Sequence, residues 1–230
     1  MAPAAPHWRR RGMLNRAMFV VRIWRALLIA LLTALPGASG AFTVSIAAGT
    51  PTTIYLQVGV GTFSGGNYNA GGTPGNNTTI NNETVAVAAG AVGNGVAQAM
   101  TTNSTAANSF YDGFLFCTAT TQLYIGGFYR TSNGGGNTTA TVTATVPAAL
   151  SDGAGHTIPF SQIRWTSSGN ADGGAEPFPA ASFSAGGVQT VGTIAKNNWA
   201  ESCWTFSYLN TTLPVAGTYT GRVTYTLTAP

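Results

Sequence analysis

The stretch Thr218–Thr228, TYTGRVTYTLT, alternates from end to end. Tyr219, Val223, Tyr225 and Leu227 fall on one side, with Gly221 as a gap between them. Thr218, Thr220, Thr224, Thr226 and Thr228 fall on the other, together with Arg222. Successive side chains of a β-strand point to opposite faces, whereas a helix repeats every three to four residues. The pattern therefore predicts a strand over 218–228, apolar inward and hydroxyl outward. At roughly 3.3 Å per residue it would span about 36 Å, long beside the usual 5–6 residues.

The same period recurs upstream. Ile54, Leu56, Val58 and Val60 share a face between 53 and 63. Thr138–Val146 (TTATVTATV) alternates until Pro147 ends it. Phe110–Cys117 (FYDGFLFC) and Gln122–Arg130 (QLYIGGFYR) are apolar on two faces and are expected as neighbouring central strands. Pro159–Thr166, Ser182–Ile194 and Trp199–Leu209 are further strands. Val85 and Val87 on one side, and Val96 to Met100 on the other, flank Gly93-Asn94-Gly95, a hairpin signal. Helix signals are scarce. Leu, Lys and Glu are few, while 33 threonines lie between residues 43 and 228, and threonine favours a pleated surface. The Gly- and Asn-rich stretches Ser64–Thr79 and Thr131–Thr138 read as surface loops. Neither joins a strand to a helix start, and no Lys-Ser or Lys-Thr follows, so neither reads as a phosphate cradle. The expected class is all-β, in one domain over 41–230.

Residues 1–40 read as a signal peptide. A basic region precedes the apolar run Ala26–Leu35, then Pro36-Gly37 and the small residues Ala38-Ser39-Gly40-Ala41. The apolar run is too short to span a bilayer, which takes about 20 residues. This leader also explains the charge. The whole chain carries +4 and a pI near 9.3, which on its own would point to nucleic acid. Six of the ten basic residues lie within the first 25 positions. Residues 41–230 hold four basic and six acidic side chains, a net −2. The exported part is therefore expected to bind neither nucleic acid nor membrane.

Cys117 and Cys203 are the only cysteines, and an oxidising compartment makes one disulfide their default state. His156 is the single imidazole of residues 41–230 and sits in the turn-like SDGAGH. It has no GxSxG-type elbow beside it. Asp172 and Glu176 lie in the loop NADGGAEPFP, which gives no reason to expect a fixed separation. No enzyme activity, cofactor or metal is expected. In Trp199–Leu209, Trp204, Phe206 and Tyr208 share one face and Cys203 the other. Trp204 and Tyr208 are candidates either for the core or for stacking on sugar rings.

The ending AGTYTGRVTYTLTAP resembles the termini of bacterial chaperone–usher pilins and of the spore-coat-U-like secreted proteins related to them. Gly217 stands fourteenth from the end, and the alternating Tyr219, Val223, Tyr225 and Leu227 follow. The resemblance implies an immunoglobulin-like two-sheet β-sandwich completed by a strand from the next subunit. It implies a periplasmic chaperone, an outer-membrane usher and further copies of the chain as partners. Phe42, Val44 and Ile46 share one face of AFTVSIAAG and are the candidate donor strand. Tyr219, Val223, Tyr225 and Leu227 form the candidate pairing strand. The expectation is an exported pilus or surface-fibre subunit, in the periplasm, on the cell surface or outside the cell. The alternative is a monomeric secreted adhesin or carbohydrate-binding sandwich. Glu201, two before Cys203, stands where antibody-type domains carry a corner tyrosine.

Overall fold

A computed structural model describes residues 43–132, 139–169 and 175–230. The expected leader, Phe42 and Asp172 lie outside the described residues. The described chain is all-β, with antiparallel sheets and only three single-turn 3-10 segments. Eight strands carry the architecture. They are β1 (Thr43–Ser45), β2 (Thr53–Val58), β3 (Leu123–Arg130), β4 (Thr139–Val146), β5 (Ile163–Ser168), β6 (Gly187–Ala195), β7 (Asn198–Tyr208) and β8 (Thr224–Thr228).

The large sheet runs Ala181–Ser182, β5, β7, β3, β2. The long strand β7 is shared between different neighbours along its length. Its first half, Asn198–Ser202, pairs with β3, and Asn198–Ala200 also pairs with β1. Its second half, Cys203–Tyr208, pairs with β5, and Ser207–Tyr208 also pairs with Gln98–Ala99. The small sheet runs β6, β4, β8, with a bulge in β6 between Thr190 and Gly192. The alternation read from the sequence decides its faces. Ala140, Val142, Ala144 and Val146 of β4 point into the core. On the outer face, Thr141, Thr143 and Thr145 lie opposite Thr228, Thr226 and Thr224 of β8. Across the other edge of β4 they lie opposite Thr193, Thr190 and Val188 of β6.

One apolar cluster joins the sheets. It takes Ile125 and Tyr129 from β3, Val142 from β4, Trp165 from β5, Ile194 from β6, and Trp204 and Phe206 from β7. The buried indoles of Trp165 and Trp204 donate to the Pro179 and Phe178 carbonyls, both at 2.9 Å, so neither burial strands a polar N–H.

Several expected elements differ from the structure. Ser182–Ile194 is divided, Ala181–Ser182 pairing with β5 in the large sheet and Gly187–Ala195 with β4 in the small one. Pro159–Thr166 is interrupted by a 3-10 turn at Phe160–Gln162. The C-terminal strand is shorter than 218–228. Thr224–Thr228 is strand, and upstream only Thr220 bridges, to Ser151. The alternation survives the gap, because Tyr219 and Val223 still face the core. Gly221 is not an empty position. A Cβ there would lie 2.7 Å from Phe160 Cε2 and 2.8 Å from Leu150 Cδ2, so the ring and the leucine fill the place a side chain would take. Phe110–Cys117 is not a strand. It is a tight turn held by Ser109, with one bridge from Leu115 to Asn108. Phe116 and Cys117 are buried at the disulfide, whereas Phe114 and Leu115 are exposed, so the run's two-faced apolarity does not mark a central sheet position. The hairpin signal at Gly93–Gly95 marks a longer connection, whose arms pair only at Glu83–Thr84 with Thr101–Thr102.

Gly221→Val should lower stability by about 1–3 kcal/mol, the usual cost of forcing extra methyl groups into a filled site. Chemical denaturation measures it, with Thr220→Val on the opposite face as the control.

Candidate strand-pairing site

The N-terminal segment pairs within its own chain. In β1, Val44 lies opposite Trp199, Thr43 opposite Ala200 and Ser45 opposite Asn198. Beyond the strand, the Ile46 N–H donates to the Asn197 carbonyl at 2.8 Å. Val44 and Ile46 are half-buried, while Thr43, Ser45 and Ala47 are exposed. The candidate donor segment therefore has strand conformation and strand periodicity, on β7 and not on β8.

The candidate pairing strand has one occupied edge and one open edge. β8 pairs with β4 from Thr224 opposite Thr145 to Thr228 opposite Thr141. Its other edge has no backbone partner among the described residues. Parts of β2, an edge strand of the large sheet, run within 8 Å of it between Cα atoms. The side chains facing this gap are incompletely covered. Tyr219, Val223, Tyr225 and Leu227 are half-buried, as are Leu56 and Val58 of β2, although all pack on the main cluster. On β4, one strand inward, Ala140, Val142 and Ala144 have no exposure at all. The core is thus open along one side, as an apolar seam between β2 and β8.

Trp204 and Tyr208 do not form a ligand platform. Trp204 is 0 % exposed and Tyr208 6 % exposed. Trp204 packs against Trp165 at 4.9 Å and Tyr225 at 5.8 Å between ring centroids. Facing the small sheet, these rings are core, and neither offers a free face to a sugar.

The opposite face of the large sheet carries a second buried layer. Trp199 sits at its centre, with Tyr68 at 5.1 Å, Tyr111 and Phe128 at 5.8 Å and Tyr55 at 6.1 Å between centroids. The loops that supply Tyr68 and Tyr111 are joined by backbone bonds from Tyr68 N to Phe110 O and from Asn69 N to Tyr111 O. Beside them, Cys117 and Cys203 form the expected disulfide, buried with Phe116 and Tyr124. Glu201 lies on the same face, between Trp199 and Cys203 in the strand, with no exposed surface. Its Oε2 accepts from the Tyr124 hydroxyl at 2.6 Å and from the Trp199 indole at 2.9 Å. Opposite it on β3 stands Gly126, where a Cβ would collide with the Tyr124 hydroxyl at 2.3 Å. Burial pushes the Glu201 carboxyl above the ordinary carboxylate range, against the opposing pull of its hydrogen bonds. Sequence reading did not find this site. Its available signal was an acidic residue in a strand otherwise buried on both faces.

The remaining sequence candidates are structural in their surroundings. His156 Nδ1 lies 2.6 Å from Asp152 Oδ2, and Asp152 Oδ1 accepts from the Ala154 and His156 amides, closing the 152–156 turn. The hydrogen bond to His156 holds the Asp152 carboxyl below its ordinary value. Among the described residues no three His, Cys, Asp or Glu side chains are grouped to hold a metal.

Reducing the disulfide should cost about 4–5 kcal/mol in the chain-entropy model, because it closes a separation of 86 residues. Urea unfolding of oxidised and reduced protein measures it. Glu201 carries a pH signature with a definite sign. Its pKa is raised in the fold, so the stability of its neutral, buried form is complete below the ordinary carboxylate value of about 4.3. That stability is lost as pH rises through the raised value. Glu201→Gln keeps an acceptor for Tyr124 and Trp199 and removes the ionisation. Melting temperatures from pH 4 to 9 should therefore favour the variant increasingly as pH rises.

No protein-family model matches this chain, and neither a curated protein nor a solved structure does.

Proposed function

We propose that the protein is an exported structural subunit, built as an immunoglobulin-like two-sheet sandwich, that assembles into a pilus or surface fibre by β-strand exchange. The observation that carries this reading is the open edge of β8 above a half-buried apolar row. An edge strand presents unpaired N–H and C=O groups, and proteins that stay monomeric usually guard such edges with charge, proline or a bulge. Thr224–Thr228 has none of the three. The same chain supplies a segment of matching form. Val44 and Ile46 project from one face of an extended N-terminal stretch, and Phe42 continues that face in the sequence. In the fibre, this segment of one copy pairs along β8 of the next and sets its apolar side chains into the seam.

Two further features support the reading. A buried disulfide suits an oxidising, exported location. Low charge, 7 % of the chain, suits a subunit that pairs edge to edge. By the resemblance of the terminus, a periplasmic chaperone would cover the seam before assembly and an outer-membrane usher would order the subunits.

Export of the chain into a periplasm, followed by gels of unheated and boiled samples, tests the proposal. A heat-labile ladder is expected, lost on deletion of residues 41–48. It should also weaken in Val44→Asp, which keeps the backbone length but places a charge on the inserted face. A soluble monomer indifferent to both changes overturns it.

A further inference from the structure

Residues 81–88 alternate as a strand does. Asn81, Glu83, Val85 and Val87 are half-buried, and Asn82, Thr84, Ala86 and Ala88 are exposed. Yet only Glu83–Thr84 is paired, to Thr101–Thr102. From Val85 to Ala88 the segment belongs to no strand and makes no ladder hydrogen bond among the described residues, and Ala88 is extended. Val85 and Val87 pack on the same cluster as Leu56, Val58, Tyr225 and Leu227. Its start is anchored just beyond β2 and on Thr102. Asn81 Oδ1 accepts from the Val60 N–H at 3.1 Å, and the Thr102 hydroxyl donates to Glu83 Oε1 at 3.0 Å. Burial raises the Glu83 carboxyl to about 7, so this anchor sits in a desolvated place. After Ala88 the chain turns away through Ala89–Ala91, with Gly93 and Gly95 at positive φ.

We infer that residues 85–88 are a strap that covers the apolar seam of the monomer and is displaced by the N-terminal segment of a second copy. This rests on the strand-exchange reading and adds to it a built-in occupant of the acceptor. The strap covers the seam through side chains alone. It offers two valines and leaves the backbone of β8 unpaired along its open edge. The incoming segment offers Phe42, Val44 and Ile46 together with a backbone that can pair along that edge. The second occupant therefore makes every kind of contact the first makes, and hydrogen bonds besides. The strap is held well enough to shield the seam and poorly enough to leave it. Its release needs no break in a sheet, because its pairing stops at Thr84.

The test uses the monomeric fraction of the chain carrying Val87→Cys, a change close in volume at a half-buried site. A fluorescent peptide of residues 41–50 is titrated in, and its binding is read by anisotropy. The rate of maleimide labelling at position 87 is followed with and without saturating peptide. Displacement is expected to speed labelling by about tenfold or more, as the thiol passes from a packed to an open state. Peptide binding with an unchanged labelling rate overturns the strap and leaves strand exchange standing. Absence of peptide binding overturns both. A second variant guards against a merely local effect of the cysteine. Val85→Ser with Val87→Ser should raise the peptide on-rate if the strap competes, and an unchanged on-rate counts against it.

Discussion

The structure depends on one constraint, that β7 is apolar on both of its faces. Trp204, Phe206 and Tyr208 point to one side, Trp199 and Cys203 to the other, and all are buried. A two-sheet arrangement covers only one face of each sheet. The small sheet of β6, β4 and β8 covers the first side of β7. The second needs another cover, and the chain supplies it from the long excursion between β2 and β3. That stretch holds only short pairs and turns, because its task is to lay Phe63, Tyr68 and Tyr111 over Trp199, with Phe110 beside Phe63 and Tyr124. Aromatic side chains bury a large area per residue, so a few of them cover a sheet without regular structure of their own. The disulfide then ties this cover to β7, since Cys117 belongs to the excursion and Cys203 to the strand. Its long loop and its burial follow from the same cause.

Glu201 shows what the double-sided burial demands locally. A carboxyl group in such a layer is tolerated only with donors at hand. Tyr124 and Trp199 provide them, and Gly126 leaves the space in which the Tyr124 hydroxyl can reach the acid. The glycine pair Gly126-Gly127 in an otherwise apolar strand is therefore shaped by its neighbours. A Cβ at Gly127 would in turn strike the Tyr55 carbonyl of β2. Two positions that look like weak points of a strand are those where a polar side chain and a neighbouring backbone come closest.

Much of the fold was legible in the sequence, because a period of two is a direct statement about faces. Thr139–Val146, Leu123–Arg130 and Asn198–Tyr208 lie where alternation or two-sided apolarity put them. So does the division of β7 between Trp204, Phe206 and Tyr208 on one face and Cys203 on the other. Phe110–Cys117 was misleading for a physical reason. Apolar residues on both faces of a short run need not form a strand: here Phe116 and Cys117 are buried beside the disulfide, Phe110 and Tyr111 pack on aromatic neighbours, and Phe114 and Leu115 stand in solvent. The shortened C-terminal strand has a different cause. Alternation records which side chains face the core, whereas strand assignment also needs a partner backbone. Between Thr218 and Val223 the faces are right, but the partner is a single bridge at Thr220. The seam was not legible at all. It arises from which strands stop short of one another, a property of topology that no local pattern carries.

That topology concentrates the open backbone in one place. β2 ends the large sheet and β8 ends the small one, and the two edges lie on the same side of the molecule. The two edges run near each other without a backbone ladder between them. The cover of the core thins toward these edges. Exposure rises from zero at Val142 and Ala144 to partial at Tyr225, Leu227, Leu56 and Val58, over the distance of a single strand. Neither β2 nor β8 carries a charged side chain to discourage pairing. An apolar, uncharged and unpaired edge is a hazard for a protein meant to stay alone, since it invites nonspecific strand addition. On the proposed reading that hazard is put to use, because an alternating N-terminal segment of a second copy is the strand that fills the edge.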